Sequence, residues 1–295
     1  MSKSYHIINR TNQAWHAKLL KVSLDQFIWD FEQGPYGASR SHFIESTEGI
    51  VGCTSFRPID IKLGEVVYPA SLNHGTKILP GYPLQEFLKE TKYYEWTYQV
   101  VVSLAKPEGL RASYAKSGWL YIGDAVLLSK SNCIDKGFSC LAVPELDQEV
   151  DKFGLEVAKE FSFTLIKGSA LLNWRTRGPQ RYVNYLLRPR ELRGYMIMTY
   201  YGYDAHIADF KAESPSDLEE MLMTAESFAA RKRSLKVWSN FKDPFQEVFL
   251  KYGFEKTEIT TSLYLRLNEE SPNISLATNI LKGSWMISGV DLGMM

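Results

Sequence analysis

The fold is decided by the run from Leu110 to Asp124, LRASYAKSGWLYIGD. Arg111, Ala112, Tyr114, Ala115 and Lys116 favour a helix. Gly118 follows where helices commonly close on a left-handed residue, and Trp119, Tyr121 and Ile122 favour a strand. The pattern returns as VFLKYGFEKTE, Val248 to Glu258. Tyr114, Lys116, Gly118 and Trp119 match Phe249, Lys251, Gly253 and Phe254, each pair 135 residues apart (249 − 114). That interval is one domain length, so the chain reads as one unit used twice.

The flanking segments repeat in order. Gln13 to Phe31 reads as a helix and Gly34 to Ser39 as a turn. Strands follow at His42 to Glu45, Gly49 to Phe56 and Glu65 to Leu72, then a Gly/Pro-rich loop from Asn73 to Pro83. Leu84 to Tyr94 reads as a helix and Tyr98 to Leu104 as a central strand; Leu120 to Leu127 closes the first half. Ser129 to Lys152 reads as a connection, with a helix from Val150 to Phe161. In the second half, strands at Tyr182 to Leu187, Gly194 to Tyr201 and Ala205 to Phe210 precede a helix from Ser216 to Arg231. A strand at Leu235 to Trp238, a helix at Pro244 to Lys251 and a strand at Thr260 to Leu267 complete it. The expectation is a mixed α/β fold of two tandem domains, each a mostly antiparallel sheet flanked by helices. Its boundaries are residues 1–130, a connecting segment 131–160, and 161–295.

Composition narrows the partners. The 295 residues carry 34 Lys plus Arg against 34 Asp plus Glu, and this balance gives no reason to expect nucleic acid as a partner. The three cysteines Cys53, Cys133 and Cys140 match no zinc spacing and favour a reducing compartment. MSKSYHIINR carries no apolar leader, and no run reaches the ~20 apolar residues of a membrane span, so a cytoplasmic protein is expected.

The order of elements resembles the GNAT acyltransferases, which move an acyl group from a coenzyme A thioester to an amine. More narrowly, it looks like the bacterial tandem GNAT-like proteins often associated with surface polysaccharide and sugar acylation. The resemblance is carried by Ala112, Tyr114, Lys116, Gly118 and Trp119; by Trp29-Asp30-Phe31 with Pro35 and Gly37; by Ile50 to Pro58; and by Asn173-Trp174-Arg175 with Pro179 and Tyr182. Trp285, Gly289 and Asp291 resemble the family's C-terminal ending, with one extra residue between the glycine and the aspartate.

The resemblance implies acetyl-CoA or another acyl-CoA as cosubstrate and a small-molecule amine, such as an amino sugar, as acceptor. The donor would lie between the parallel strands, its carbonyl polarised by backbone near Leu72 and its pyrophosphate held by the segment around Gly81, Tyr82 and Gln85. One departure stands out. Where the family's loop reads R-G-K-G, this chain has Pro83, Leu84, Gln85 and Glu86, so both glycines and both cations are replaced. Pro83 removes a donor and Glu86 adds a negative charge. Lys211 to Asp217, KAESPSD, has no glycine either.

Tyr114 is the candidate general acid, since a phenol of pKa about 10 suits a leaving thiolate of pKa about 8.5. Phe249 stands at the matched position of the second half. Glu65, His74 and Asp209 are candidate bases for the amine. No Ser–His–Asp or Cys–His arrangement is visible, so attack would be direct. Two alternatives share the fold: a Fem-type aminoacyl transferase, which takes its acyl group from charged tRNA, and a non-enzymatic binding protein.

Overall fold

The quoted run folds as its residues dictate. Arg111–Lys116 is helical, Gly118 takes φ +82°, and a strand follows. The Gly118 N–H donates to the Ala115 carbonyl (3.1 Å) and the Trp119 N–H to the Tyr114 carbonyl (3.0 Å), the bond pair of a Schellman closure. The matched segment repeats it. Gly253 has φ +96°, its N–H donates to the Leu250 carbonyl (3.1 Å), and the Phe254 N–H donates to the Phe249 carbonyl (3.0 Å).

A computed structural model of the chain describes residues 4–7, 13–46, 49–81, 98, 100–105, 111–137, 140–178, 184–189, 194–240, 243–267, 283–286 and 288. The elements run β1 (Ser4–Ile7), α1 (Gln13–Leu20), α2 (Leu24–Glu32), β2 (Arg40–Ser46), β3 (Gly49–Leu63), β4 (Val66–Ile78), β5 (Val100–Ala105), α3 (Arg111–Lys116) and β6 (Leu120–Ser131). They continue with β7 (Cys140–Val143), α4 (Glu149–Ala158), β8 (Phe163–Ile166), α5 (Ser169–Arg177), β9 (Asn184–Pro189), β10 (Gly194–Tyr201), β11 (Asp204–Ala212), α6 (Pro215–Ala229), β12 (Ser234–Asn240), α7 (Gln246–Lys251), β13 (Glu255–Leu267) and β14 (Trp285–Met286). The architecture is mixed α/β, with mostly antiparallel pairing and helices on the sheet faces.

The chain forms two compact units. The first comprises Met1–Ile61, Val67–Gly123 and Ser262–Ile274. Its strands lie in the order β1-β2-β3-β4-β5-β13. β1 and β3 pair antiparallel with β2, β4 runs parallel to β5, and β13 returns antiparallel to β5. Ala17, Phe27 and Phe31 of α1 and α2 form a buried apolar cluster, and the His16 ring lies among Phe27, Phe31 and Phe43 with centroids 4.8 to 5.5 Å away. Phe56, Val101, Tyr114, Trp119 and Tyr264 form a second buried cluster around α3.

The second unit comprises Lys62–Val66, Asp124–Thr261 and Ser275–Met295. Its strands lie in the order β7-β9-β10-β11-β12-β6, antiparallel except for the parallel pair β11/β12, and β14 pairs in parallel with β8. A large apolar core joins α4, α6 and α7 to the inner strands through residues such as Val150, Tyr195, Met221, Leu222 and Phe249.

The strand that closes each sheet comes from the opposite end of the chain order. Val100–Ala105 of the first unit pairs with Leu267–Ser262, and Ser234–Asn240 of the second pairs with Ser131–Ala125.

Three local expectations are corrected. The single helix over Gln13 to Phe31 is two helices. Lys21 takes φ +60° and donates its N–H to the Lys18 carbonyl, and the Ser23 hydroxyl then caps α2 by accepting the Gln26 N–H (3.1 Å). The third strand does not end at Leu72 but runs to Ile78. Its polar residues are satisfied within the sheet: the Asn73 amide donates to Thr54 Oγ1 (2.9 Å) and accepts from Thr76 Oγ1 (2.8 Å). The connection after Ser129 contains β7, paired with β9, and β8 precedes the α5 helix. The helix expected at Leu84 to Tyr94 lies outside the described residues. Among the described residues no helix is long and apolar enough to cross a membrane.

Candidate active site

The parallel pair in the first unit is short. Its ladder covers Ala70–Asn73 against Val100–Ser103, yet β4 continues to Ile78 and β5 to Ala105. Beyond Asn73 and Ser103 the described strands are no longer register partners, so the ladder stops before either strand reaches its C-terminal end. In open α/β sheets this end of a parallel pair is where ligands bind.

Tyr114 stands at the last pair of this ladder. α3 follows β5 after a short link and lays Tyr114 onto the sheet, where the Tyr114 Oη and Ser103 Oγ share a hydrogen bond of 3.1 Å. The Tyr264 ring stacks on it at 4.3 Å and the Trp119 indole meets it edge-on at 5.4 Å. The ring is thus clamped on two sides, with 6% of the residue exposed. Ser103 was not legible as a site residue; its one signal is a hydroxyl inside the apolar run YQVVVSL.

His74 belongs to the other face. Register partners in a parallel pair share a face, so Asn73, Ser103 and Tyr114 lie on one side, and His74, the next residue along, points to the opposite one. There its ring stacks on Phe31 (4.5 Å). The Arg57 guanidinium donates to Nδ1 (3.2 Å), and Nε2 meets Ser39 Oγ at 3.1 Å. A guanidinium has no acceptor, so Nδ1 carries the lone pair and Nε2 the hydrogen. Arg57 is held in turn by the Asp30 carboxylate and carbonyl. The Asp30–Arg57–His74–Ser39 chain went unread in the sequence because its members lie on four separate elements or turns.

The other sequence candidates are dispersed. Glu65 is exposed in the turn between β3 and β4, nine residues before His74 and so ~30 Å away along an extended strand. Leu72 is buried on β4, paired with Val102 one step before the end of the ladder. Gly81 takes φ +90° in the turn after β4. Tyr82 and Gln85 lie outside the described residues. Asp209 is fully buried in the second unit. Its carboxylate receives Lys167 Nζ (2.9 Å) and the Tyr195 hydroxyl (3.0 Å), and Lys167 also donates to Ser288 Oγ (2.9 Å). Such a carboxylate is committed to its partners.

The parallel ladder of the second unit is short as well. The β11/β12 ladder covers Ala205–Ile207 against Leu235–Val237, while β11 runs on to Ala212 and β12 to Asn240. At the position matched to Tyr114, Phe249 packs edge-on against Phe210 (5.3 Å) and Phe254 (5.4 Å) and offers no hydroxyl.

Comparison with known proteins places the fold. No protein-family model matches the sequence, and no curated protein matches it. Solved structures do. A GCN5-related N-acetyltransferase from Anabaena variabilis superposes over 90% of this chain and 73% of its own, with a TM-score of 0.67 and 15% identity. A GCN5-related N-acetyltransferase from Kribbella flavida covers 90% of this chain and 71% of its own, with a TM-score of 0.59 and 12% identity. N-myristoyltransferase from Saccharomyces cerevisiae, with bound myristoyl-CoA, covers 96% of this chain and 88% of its own, with a TM-score of 0.63 and 11% identity. The chain therefore has the fold of these N-acyltransferases.

Proposed function

We propose that this protein is an N-acyltransferase whose first unit holds an acyl-coenzyme A thioester at the end of the β4/β5 ladder and delivers the acyl group to an amine. The observation that carries the reading is the Ser103–Tyr114 pair at the point where that ladder stops. The fold shared with two N-acetyltransferases and with N-myristoyltransferase supports it. In this reaction the amine nitrogen bonds to the thioester carbonyl carbon, the carbon–sulfur bond breaks, the thiolate takes a proton from Tyr114, and the proton that the nitrogen sheds passes to solvent, from which the phenol is restored. Ser103 fixes the phenol, and the Tyr264 and Trp119 rings fix its plane. His74 acts as a positioning residue, because Arg57 occupies the lone pair a base would use.

The two units are, in this reading, copies of one ancestral domain. The repeated Schellman closures and the repeated truncated parallel ladders support that. Phe249 then marks the second copy as the one without the acid. An amino sugar is the acceptor class that the family resemblance favours.

A thermal-shift titration with coenzyme A and acetyl-coenzyme A tests the donor, since a ligand of the native state raises the melting temperature with concentration. Tyr114→Phe is expected to lower kcat by about 10²-fold or more while leaving coenzyme affinity within about twofold. An unchanged kcat removes Tyr114 from the mechanism. Pro83 and Glu86 favour a second reading, in which the donor is not a coenzyme A thioester. Absence of any shift with millimolar coenzyme, together with a shift on adding aminoacyl-tRNA, selects it.

A further inference from the structure

Four neighbouring strands of the second unit, β6, β12, β11 and β10, start or finish at one end of the sheet. Ser131 at the close of β6 pairs with Ser234 at the start of β12, Leu235 pairs with Ala205 near the start of β11, and Asp204 pairs with Tyr201 at the close of β10. The segments that leave this end therefore lie side by side: 132–137 after β6, 230–233 before β12, and the two-residue reversal Gly202-Tyr203 between β10 and β11. Two contacts tie them together. The Arg233 N–H donates to the Tyr203 carbonyl (2.8 Å). The Asp135 carboxyl is held below its usual range by the Gly137 N–H, by the Ser227 hydroxyl and by the nearby Arg231 guanidinium.

The side chains at this end are of two kinds. Tyr203 is 83% exposed and Tyr201 53%, and Ile134 on the neighbouring segment is 59% exposed. The tyrosines flank and follow Gly202, whose φ of +59° closes the reversal in two residues, so their rings stand at a convex tip. Residues 130–137, 201–204 and 231–236 also carry Lys130, Lys136, Arg231, Lys232, Arg233 and Lys236. Against these stand Asp135, Asp204, which holds Lys236, and Glu226, which holds Lys130 and Lys136. The excess is three positive charges (6 − 3) on a chain whose total is zero. α6 stops at Ala229 with no cation in its last turn, so Arg231 and Arg233 stand beyond the helix, and both are exposed.

We infer that this end of the second unit is a docking surface for an anionic lipid membrane. The two phenol rings and Ile134 enter the headgroup layer, and Arg231 and Arg233 meet the lipid phosphates and carboxylates. Tyrosine has an apolar body and a polar tip, which suits the layer between hydrocarbon and water, and each Lys or Arg near an anionic leaflet adds attraction. A convex tip also suits a plane. A nucleic-acid strand calls instead for a cationic groove along which successive bases stack, whereas these tyrosines sit on a reversal. So small an apolar group makes the attachment peripheral and reversible. The inference stands on the second unit alone, and it holds whether or not the first transfers an acyl group.

Vesicle sedimentation with the full chain tests it. The protein is expected to partition at least about tenfold more strongly onto phosphatidylcholine containing about 30% phosphatidylserine than onto phosphatidylcholine alone, and to be released by about 0.5 M salt. Tyr203→Ala should weaken binding about three- to tenfold, and Tyr203→Trp should keep it. Arg231→Glu combined with Arg233→Glu should lower it to the level of the neutral vesicles. These side chains are exposed, and the Arg233 bond to Tyr203 is made by backbone, so unchanged melting temperatures are expected and serve as the folding control. The inference is overturned if the two vesicle compositions bind equally or not at all. It is overturned as well if well-folded Tyr203→Ala and the double variant bind anionic vesicles like the unaltered chain, or if a single-stranded oligonucleotide binds in place of the vesicles.

Discussion

At the scale of single residues, the most exacting environments belong to buried histidines. Burial lowers His16 and His206 to a pKa of about 4, and burial with help from Arg40 does the same to His42. His16, ringed by Phe27, Phe31 and Phe43, has no hydrogen-bond partner among the described residues. These rings are neutral in the folded state, whereas the unfolded chain protonates them below about pH 6.5. Their contribution is therefore complete above pH 6.5 and lost as pH falls from there towards 4. Asp243 works in the opposite sense. Burial raises its carboxyl to about 6, so its strain is relieved as pH falls through that value. Three histidines against one aspartate make a net loss on acidification. The melting temperature is expected to fall between pH 7 and pH 5, and His16→Leu to flatten that slope by about 1–2 kcal/mol. An unaltered slope in the variant would show that His16 is protonated in place.

At the scale of elements, the two glycine closures give a paired test. Both hold positive φ, which alanine tolerates at a cost of about 1 kcal/mol. A Cβ at Gly118 would meet nothing within 4 Å, so Gly118→Ala should cost only that conformational term, and Gly118→Asn less. A Cβ at Gly253 would lie 3.3 Å from Lys130 Nζ, which is held by the Tyr252 carbonyl (2.6 Å) and Glu226 (3.3 Å). Gly253→Ala should therefore cost more than Gly118→Ala in urea titrations. Equal costs would mean that the lysine moves aside freely. These closures were legible in sequence because a Schellman end is written locally, in a glycine and its apolar neighbours. The extension of β4 past Leu72 was not. Asn73, His74 and Gly75 read as a loop, and only the place of β4 between β3 and β5 in the sheet makes them strand. Short strands such as β7 and β8 fail for a similar reason: four residues carry too little periodicity to stand out from a connection.

At the scale of the whole molecule, the α/β class and the order of elements follow from local pattern, but the pairing of the closing strands does not. Nothing in TTSLYLRL says whether it returns to the strand before α7 or to Val100–Ala105. The candidate site shares this limit. Tyr114 was visible because its helix is, whereas its clamp by Tyr264 joins residues 150 positions apart (264 − 114). A fragment of residues 1–130 contains β5 without the partner that covers its edge. It is expected to aggregate or to lack a cooperative unfolding transition, and to regain one when a peptide spanning Glu255–Leu267 is added. Cooperative unfolding of the bare fragment would show that the β13 pairing is dispensable.

The traded closing strands also bear on inheritance. If one unit lost its chemistry, deletion could not remove it cleanly, because the gene segment lost would also encode backbone that seals the other unit. An idle half would persist as scaffolding, free to drift at its surface and acquire a new partner while its strands stay under selection.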